Sequence, residues 1–174
     1  MTSKSRRGFS YLEIIMGVMI LGFILTPLLS QFYIGFQATR TADALSQATF
    51  LAEDLMEEIK SKRFDENKFP AGSTPRAQFG TDSGESASDR RTFDDIDDFN
   101  GWTSSPPRAA NGTILTDFTG FTCSVQVEYV TLGAGTIWQV TTSSTFYKRV
   151  SVTVTSTQSG PIQMHTLFSY HAIT

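Results

Sequence analysis

No charged residue occurs from Ile14 through Thr39 in this 174-residue chain, and the most apolar part of that run, Ile14 to Phe36, has the length of a membrane crossing. Its 23 residues make a helix of roughly 34 Å, against about 30 Å for a hydrocarbon core. Setting that segment aside leaves enough chain for one modest domain and not for two. Lys4, Arg6 and Arg7 stand in front of the run, which predicts a cytoplasmic start and a chain that emerges on the other side after Leu29.

The flanks of the run separate it from an ordinary secretory signal. Such a signal ends in a small-residue cleavage site, whereas Thr26-Pro27-Leu28-Leu29 is bulky. The small residue, Gly8, comes before the run instead. Glu13 lies at the mouth of the apolar helix, where a carboxylate is expensive unless it has a partner. Cleavage after Gly8 would put a new amine on Phe9 at nearly the same depth. The carboxylate of one subunit then has the amine of another as its natural counter-charge.

Gly8-Phe9-Ser10-Tyr11-Leu12-Glu13 resembles the class III signal of type IV pilins and type II secretion pseudopilins. The resemblance implies cutting by a prepilin peptidase between Gly8 and Phe9, N-methylation of Phe9, and a subunit-docking role for Glu13. It implies a pilin-like α+β fold, with a long N-terminal helix whose second half packs on a C-terminal antiparallel sheet. Residues 1–8 are then a leader, 9–36 a transmembrane and filament-core helix, and 37–174 a periplasmic domain. The implied partners are the peptidase, other pilin subunits along the N-terminal helix, and inner-membrane lipid before assembly into a surface pilus. Glu57 to Glu66 and the acidic block Phe93 to Trp102 together resemble the minor pilin-like proteins of mannose-sensitive haemagglutinin pili. The expected role is a minor structural subunit acting in pilus assembly or at the tip, with no cofactor. A type II secretion pseudopilin, or a tip adhesin that binds through 64–120, are the alternatives.

Beyond the apolar run, residues 37–63 read as an amphipathic helix. Ala38, Ala42, Leu45, Thr49, Ala52, Met56 and Ile59 recur every three and four residues, widened by Phe50, Leu51 and Leu55. That stripe is expected to face the sheet. Lys60, Lys62 and Arg63 close the helix with charge that suits its dipole. Gly22 and Pro27 mark a possible kink: a proline removes one helical hydrogen bond, yet membrane helices tolerate it, and both readings stay open.

Residues 64–120 are rich in turn signals and too long for a structureless connection, so short elements are expected there, anchored by Phe93, Ile96, Phe99 and Trp102. Asp94, Asp95, Asp97 and Asp98 could supply calcium ligands, but their order does not fit an EF-hand. A solvated loop with local caps, partly neutralised by Arg90 and Arg91, is the favoured reading and no metal is expected.

From 121 the period becomes two. Phe121 to Tyr129, Phe146 to Val154 (Lys148 sharing the apolar parity) and Ile162 to Tyr170 read as antiparallel strands, with Gln158 to Pro161 turning between the last two. Ile137 to Val140 suggests a short extra strand.

Removing residues 1–8 leaves 11 basic against 17 acidic residues, or −6, which speaks against nucleic acid. Cys123 is alone, so the cysteine-pair loop described for major pilins is impossible, and its alternating strand context predicts a buried thiol rather than an intermolecular bridge. His165 and His171 share a parity opposite to Phe168 and are expected to face solvent. No nucleophile elbow or phosphate loop appears, and an enzyme is not expected.

Overall fold

The structure is a computed structural model, and it describes residues 10–66, 74–75, 78–133 and 138–170. The chain is α+β: a long N-terminal helix packs, through its C-terminal part, on a five-stranded antiparallel sheet. Helix α1 runs Tyr11–Lys60, and the strands are β1 (Thr103–Ser104), β2 (Phe121–Leu132), β3 (Trp138–Val140), β4 (Tyr147–Ser156) and β5 (Ile162–Ser169). Two compact units are distinct, 1–41 and 42–174. The second therefore begins a little beyond the boundary at 37 that apolarity alone suggests.

In the first unit every described residue is exposed. Gly22 and Pro27 both lie inside unbroken helix. Pro27 has no N–H to give, and one turn back the Thr26 hydroxyl donates to the Gly22 carbonyl at 3.0 Å. An added Cβ at Gly17, Gly22 or Gly35 would meet nothing in the chain, so the chain's own packing does not require glycine at these positions.

In the second unit the sheet order is β1-β2-β4-β5, with β3 pairing the far end of β2. The β4–β5 hairpin aligns Tyr147 with Ser169 and Val154 with Ile162, and β2 pairs β4 from Phe121 opposite Ser156 to Tyr129 opposite Lys148. Alternation places Phe121, Cys123, Val125 and Val127 of β2 and Val150, Val152 and Val154 of β4 on the face toward the helix, all buried. Cys123 is a free, buried thiol, as its strand context suggests. The helix answers with Ala44, Ala48, Leu51, Ala52, Leu55, Met56 and Ile59. Full burial of side chains the size of Leu, Met or Ile stabilises by about 1.5–3 kcal/mol each.

The expected stripe is thus right from Leu51 to Ile59 and out of phase before it. Leu45 and Phe50 are exposed, and Ala44 and Ala48 are buried in their place. A strict seven-residue repeat drifts about 20° per heptad on a straight helix, so a stripe fixed at Ile59 has rotated off the contact line by Leu45. The loop region carries the short elements expected of it: 3₁₀ turns at Arg90–Thr92, Asp97–Phe99 and Thr116–Phe118, and the two-residue β1. Phe93, Ile96, Phe99 and Trp102 are all buried in the core, with Phe93 and Phe99 meeting edge to face at 4.9 Å between ring centres. Of the expected strand from Ile137, Trp138–Val140 is found; Ile137 lies outside the described residues.

Candidate functional site

Among the described residues, the start of α1 and the acidic block stand out for charge in apolar surroundings. Ser10 opens the helix, its carbonyl accepting the Glu13 and Ile14 N–H groups at 2.9 and 3.2 Å. Glu13 therefore sits in the first turn, where a carboxylate is favoured by the helix dipole. Its side chain points out among exposed Tyr11, Leu12, Ile14 and Ile15, and it meets no cation among the described residues. Gly8 and Phe9, the expected cleavage and methylation residues, lie outside the described residues. Of the described residues, only α1 is long and apolar enough to cross a membrane.

The second place corrects the expectation of a solvated acidic loop. Asp95, Asp97 and Asp98 are 2, 2 and 4 % exposed, and only Asp94 of the four reaches solvent. Arg90 and Arg91 do not neutralise them: Arg90 turns to Glu58 of α1 at 2.7 Å and lies over Trp102, while Arg91 pairs with Asp89. The counter-charge comes from the sheet. Lys148 of β4, wholly buried, places Nζ 2.6 Å from Asp97 Oδ1 and 3.7 Å from Asp65 Oδ2. It donates to the Phe64 carbonyl at 2.5 Å, and the Phe64, Phe79 and Tyr129 rings surround it at 4.4, 5.3 and 5.3 Å. A cation walled by aromatic faces and one direct carboxylate, with no surface exposed to solvent, is weakly screened.

The remaining acids act as backbone caps. Asp95 accepts the Asp97 and Asp98 N–H groups on one oxygen and the Glu66 N–H on the other. Asp98 accepts from Asp94 and Asp95 at 2.9 and 3.0 Å. Asp65 takes the Thr74 N–H, and Thr74 in turn accepts from the Tyr129 hydroxyl at 3.0 Å. Lys62 donates to the Phe93 carbonyl and Arg63 pairs with Asp94. Helix end, loop and sheet are thereby tied by one polar network. Burial pushes the carboxyls up, Asp97 to about 7 and Asp98 to about 8, with the Lys148 ammonium opposing the first. Glu66 rises to about 7, first through its hydrogen bond to the Asp82 carboxyl, and Asp95 is also raised by burial.

A pH dependence follows with a definite sign. These acids bind protons more tightly in the folded than in the unfolded chain, so stability is lost as pH rises from about 4 toward 8. The fragment 42–174 is expected to melt several degrees higher at pH 5.5 than at pH 8. Asp98→Asn should flatten that profile and raise the melting temperature at pH 8, because an amide oxygen still accepts the two N–H bonds. Thermal melts across this range check both. A profile that rises with pH would mean that the carboxylates are stabilised as charges.

Among the described residues, carboxylate oxygens approach within 4.8 Å of one another in three groups that could hold a cation: Asp65, Asp95 and Asp97; Glu66, Asp94 and Asp95; Glu85, Asp94 and Asp98. The first already receives the Lys148 ammonium. The four aspartates read from the sequence as weak calcium candidates are therefore brought together, with Asp65, Glu66 and Glu85 added.

Comparison with protein-family models, with curated proteins and with solved structures finds no match to this chain. The chain's function is accordingly read from these residues. Sequence reasoning singled out the acidic block but not the contacts of Lys148 with Asp97 and Asp65 or the Arg90–Glu58 pair. One signal for Lys148 was present: a lysine on the parity of Val150, Val152 and Val154 must enter the core and needs acids there. His165 is exposed on the outer face of β5, its Nδ1 2.8 Å from Ser151 Oγ; His171 lies outside the described residues.

Proposed function

We propose that this chain is a minor subunit of a type IV pilus, made as an inner-membrane precursor, cut after Gly8, and packed into a filament through the first half of α1. The observation that carries the reading is the exposed apolar half of α1, bearing at its first turn one acid that meets no cation among the described residues, and preceded in sequence by Gly8-Phe9. A helix surface of that size needs lipid or neighbouring helices to cover it. Lipid serves the precursor and neighbouring subunits serve the filament, while the globular unit stays outside the membrane on the periplasmic side. The network around Lys148 favours a structural over an adhesive role for this region, since Phe93, Phe99, Trp102, Asp95, Asp97 and Asp98 are spent on the chain's own core.

N-terminal sequencing of the mature protein tests the reading. The expected first residue is Phe9, carrying an extra methyl group on its amine. Gly8 replaced by a bulky residue should leave the full-length precursor in the membrane. Any other start removes the class III reading, and an uncut chain leaves a plain membrane anchor. Mass spectrometry of sheared surface filaments, in which this chain should appear, separates a pilus subunit from a secretion pseudopilin.

A further inference from the structure

Among the described residues, the ion pairs of Lys148 are the ones that hold an amine out of solvent together with its carboxyls. The side chains of Lys148 and Asp65 are 0 % exposed and that of Asp97 is 3 % exposed. The Arg90–Glu58 pair is also largely covered, but a guanidinium is no nucleophile, whereas an amine becomes one once a base takes a proton from it. The contact with Asp97 is close without being a well-formed hydrogen bond. Nζ lies 2.6 Å from Oδ1, yet neither Oδ1 nor Oδ2 of Asp97 has a well-aligned hydrogen-bond partner, and both atoms are buried. Asp95 and Asp98, in the same loop, accept backbone N–H groups instead. Two orphaned carboxyl oxygens inside a core are costly and call for an explanation.

We infer that Lys148 and Asp97 form a modification site, at which Nζ and Cγ join as an amide within one chain. The amide removes the anomaly: one of the two oxygens departs as water, and neither side chain keeps a charge. The reactants are already in place. An amine nitrogen touching a carboxyl oxygen stands roughly 3–3.5 Å from the carboxyl carbon, the separation of a near-attack pair. Burial pushes the Asp97 carboxyl up to about 7, so its acid form, with a hydroxyl that can leave, is populated near neutral pH. Asp65 Oδ2, 3.7 Å from Nζ, is the proton acceptor. The rings of Phe64, Phe79 and Tyr129 surround Nζ and shield the product from hydrolysis.

The step balances without an oxidant or cofactor. Asp65 takes one proton from the ammonium. The free amine attacks Cγ of the Asp97 acid, and the C–N bond forms as the bond from Cγ to the hydroxyl oxygen breaks. That hydroxyl leaves as water with a second proton from the nitrogen. The products are an amide N–H, one water and Asp65 in its acid form. The bond ties the turn Asp97–Phe99 to the start of β4, in a chain whose one cysteine has no partner for a disulfide. The inference does not rest on the pilus reading.

Mass measurement of the full chain, purified in detergent and then denatured, tests it. The expected mass is one water below that of the sequence, whichever N-terminus the chain carries. Trypsin should fail to cut after an amidated Lys148 and should release Thr92–Arg108 joined to Ala109–Arg149, with fragmentation placing the join at Asp97 and Lys148. That placement separates the link from a succinimide, which also loses water at an aspartate. Lys148→Arg keeps the positive charge without a reactive amine, and the Lys148→Met/Asp97→Asn chain keeps most of the volume. Neither should show the join, and the second stands in if the first does not fold. Asp65→Asn retains both partners but lacks the proton acceptor, so its linked fraction, followed in time after synthesis, should grow about 100-fold more slowly. A wild-type chain at full mass with Lys148 cut by trypsin, a water loss mapped away from Lys148 and Asp97, or linking in Asp65→Asn at the wild-type rate overturns the inference.

Discussion

Lys148→Ala is expected to take away a large part of the stability of the globular unit, most of all above neutral pH. The substitution leaves Asp97, 3 % exposed in its side chain, without the cation it meets among the described residues, and removes a stem packed among Phe64, Phe79 and Tyr129. Breaking a buried pair from one side costs about 3–5 kcal/mol, a large part of the roughly 5–15 kcal/mol that holds a domain together. The loss should shrink on acidification, because protonation of Asp97 removes the orphaned charge. Lys148→Met combined with Asp97→Asn takes out both charges and keeps most of the volume, so it should be far less damaging than either single change. Denaturant titrations of the four variants of 42–174 give the coupling directly. Equal losses in Lys148→Ala and the double variant, which keeps most of the stem's volume, would show that the core needs the ion pair itself and that an orphaned carboxylate is not the source of the damage.

The reason this pair escaped a reading of the sequence is physical. Asp97 and Lys148 are brought together by a strand and a loop far apart in the chain, and no local period links them. What sequence does carry is parity. A charged residue in step with Val150, Val152 and Val154 reports an internal ion pair without naming its partner. The four aspartates look like a solvated loop because charge runs usually are, yet Phe93, Ile96 and Phe99 are interleaved with them and all three are buried. A loop whose apolar residues dock as anchors carries its neighbours inward, and short Asp side chains then cap the loop's own N–H groups.

Elements governed by a short period were legible. The alternation in Phe121 to Tyr129 and Ile162 to Tyr170 gave β2 and β5 and their inward faces, and the charge-free run gave the first part of α1. The packing stripe of α1 was legible only where large residues fix its phase, from Leu51 to Ile59. Ala44 and Ala48 are small, and their burial depends on where the sheet stops, which the helix sequence does not record. At the N-terminus the legible feature is chemical: one acid in an apolar stretch.

That acid carries the second large effect. Glu13→Ala is expected to insert in the membrane, to be cut after Gly8, and to retain an intact globular unit, yet to be absent from or strongly depleted in filaments. Glu13 is the only charged residue between Arg7 and Arg40, and its side chain contributes no contact to the fold among the described residues. Removing it eases insertion, since a carboxylate deep in a bilayer costs about 2.5–3.5 kcal/mol on insertion scales. On the proposed reading, the mature Phe9 amine of a neighbouring subunit would be the cation nearest in depth. Their pairing in a low-dielectric setting would offset that cost and fix one axial register between subunits, because slipping by a turn leaves both charges unpaired. Glu13→Asp should assemble at an intermediate level, its carboxylate being one methylene shorter, and Glu13→Gln should behave like Ala if charge is what matters. The readout is the ratio of this chain to the bulk subunit in sheared filaments, measured beside its level in the membrane. A wild-type ratio for Glu13→Ala would remove the docking role from this carboxylate while leaving the cleavage at Gly8 to stand on its own.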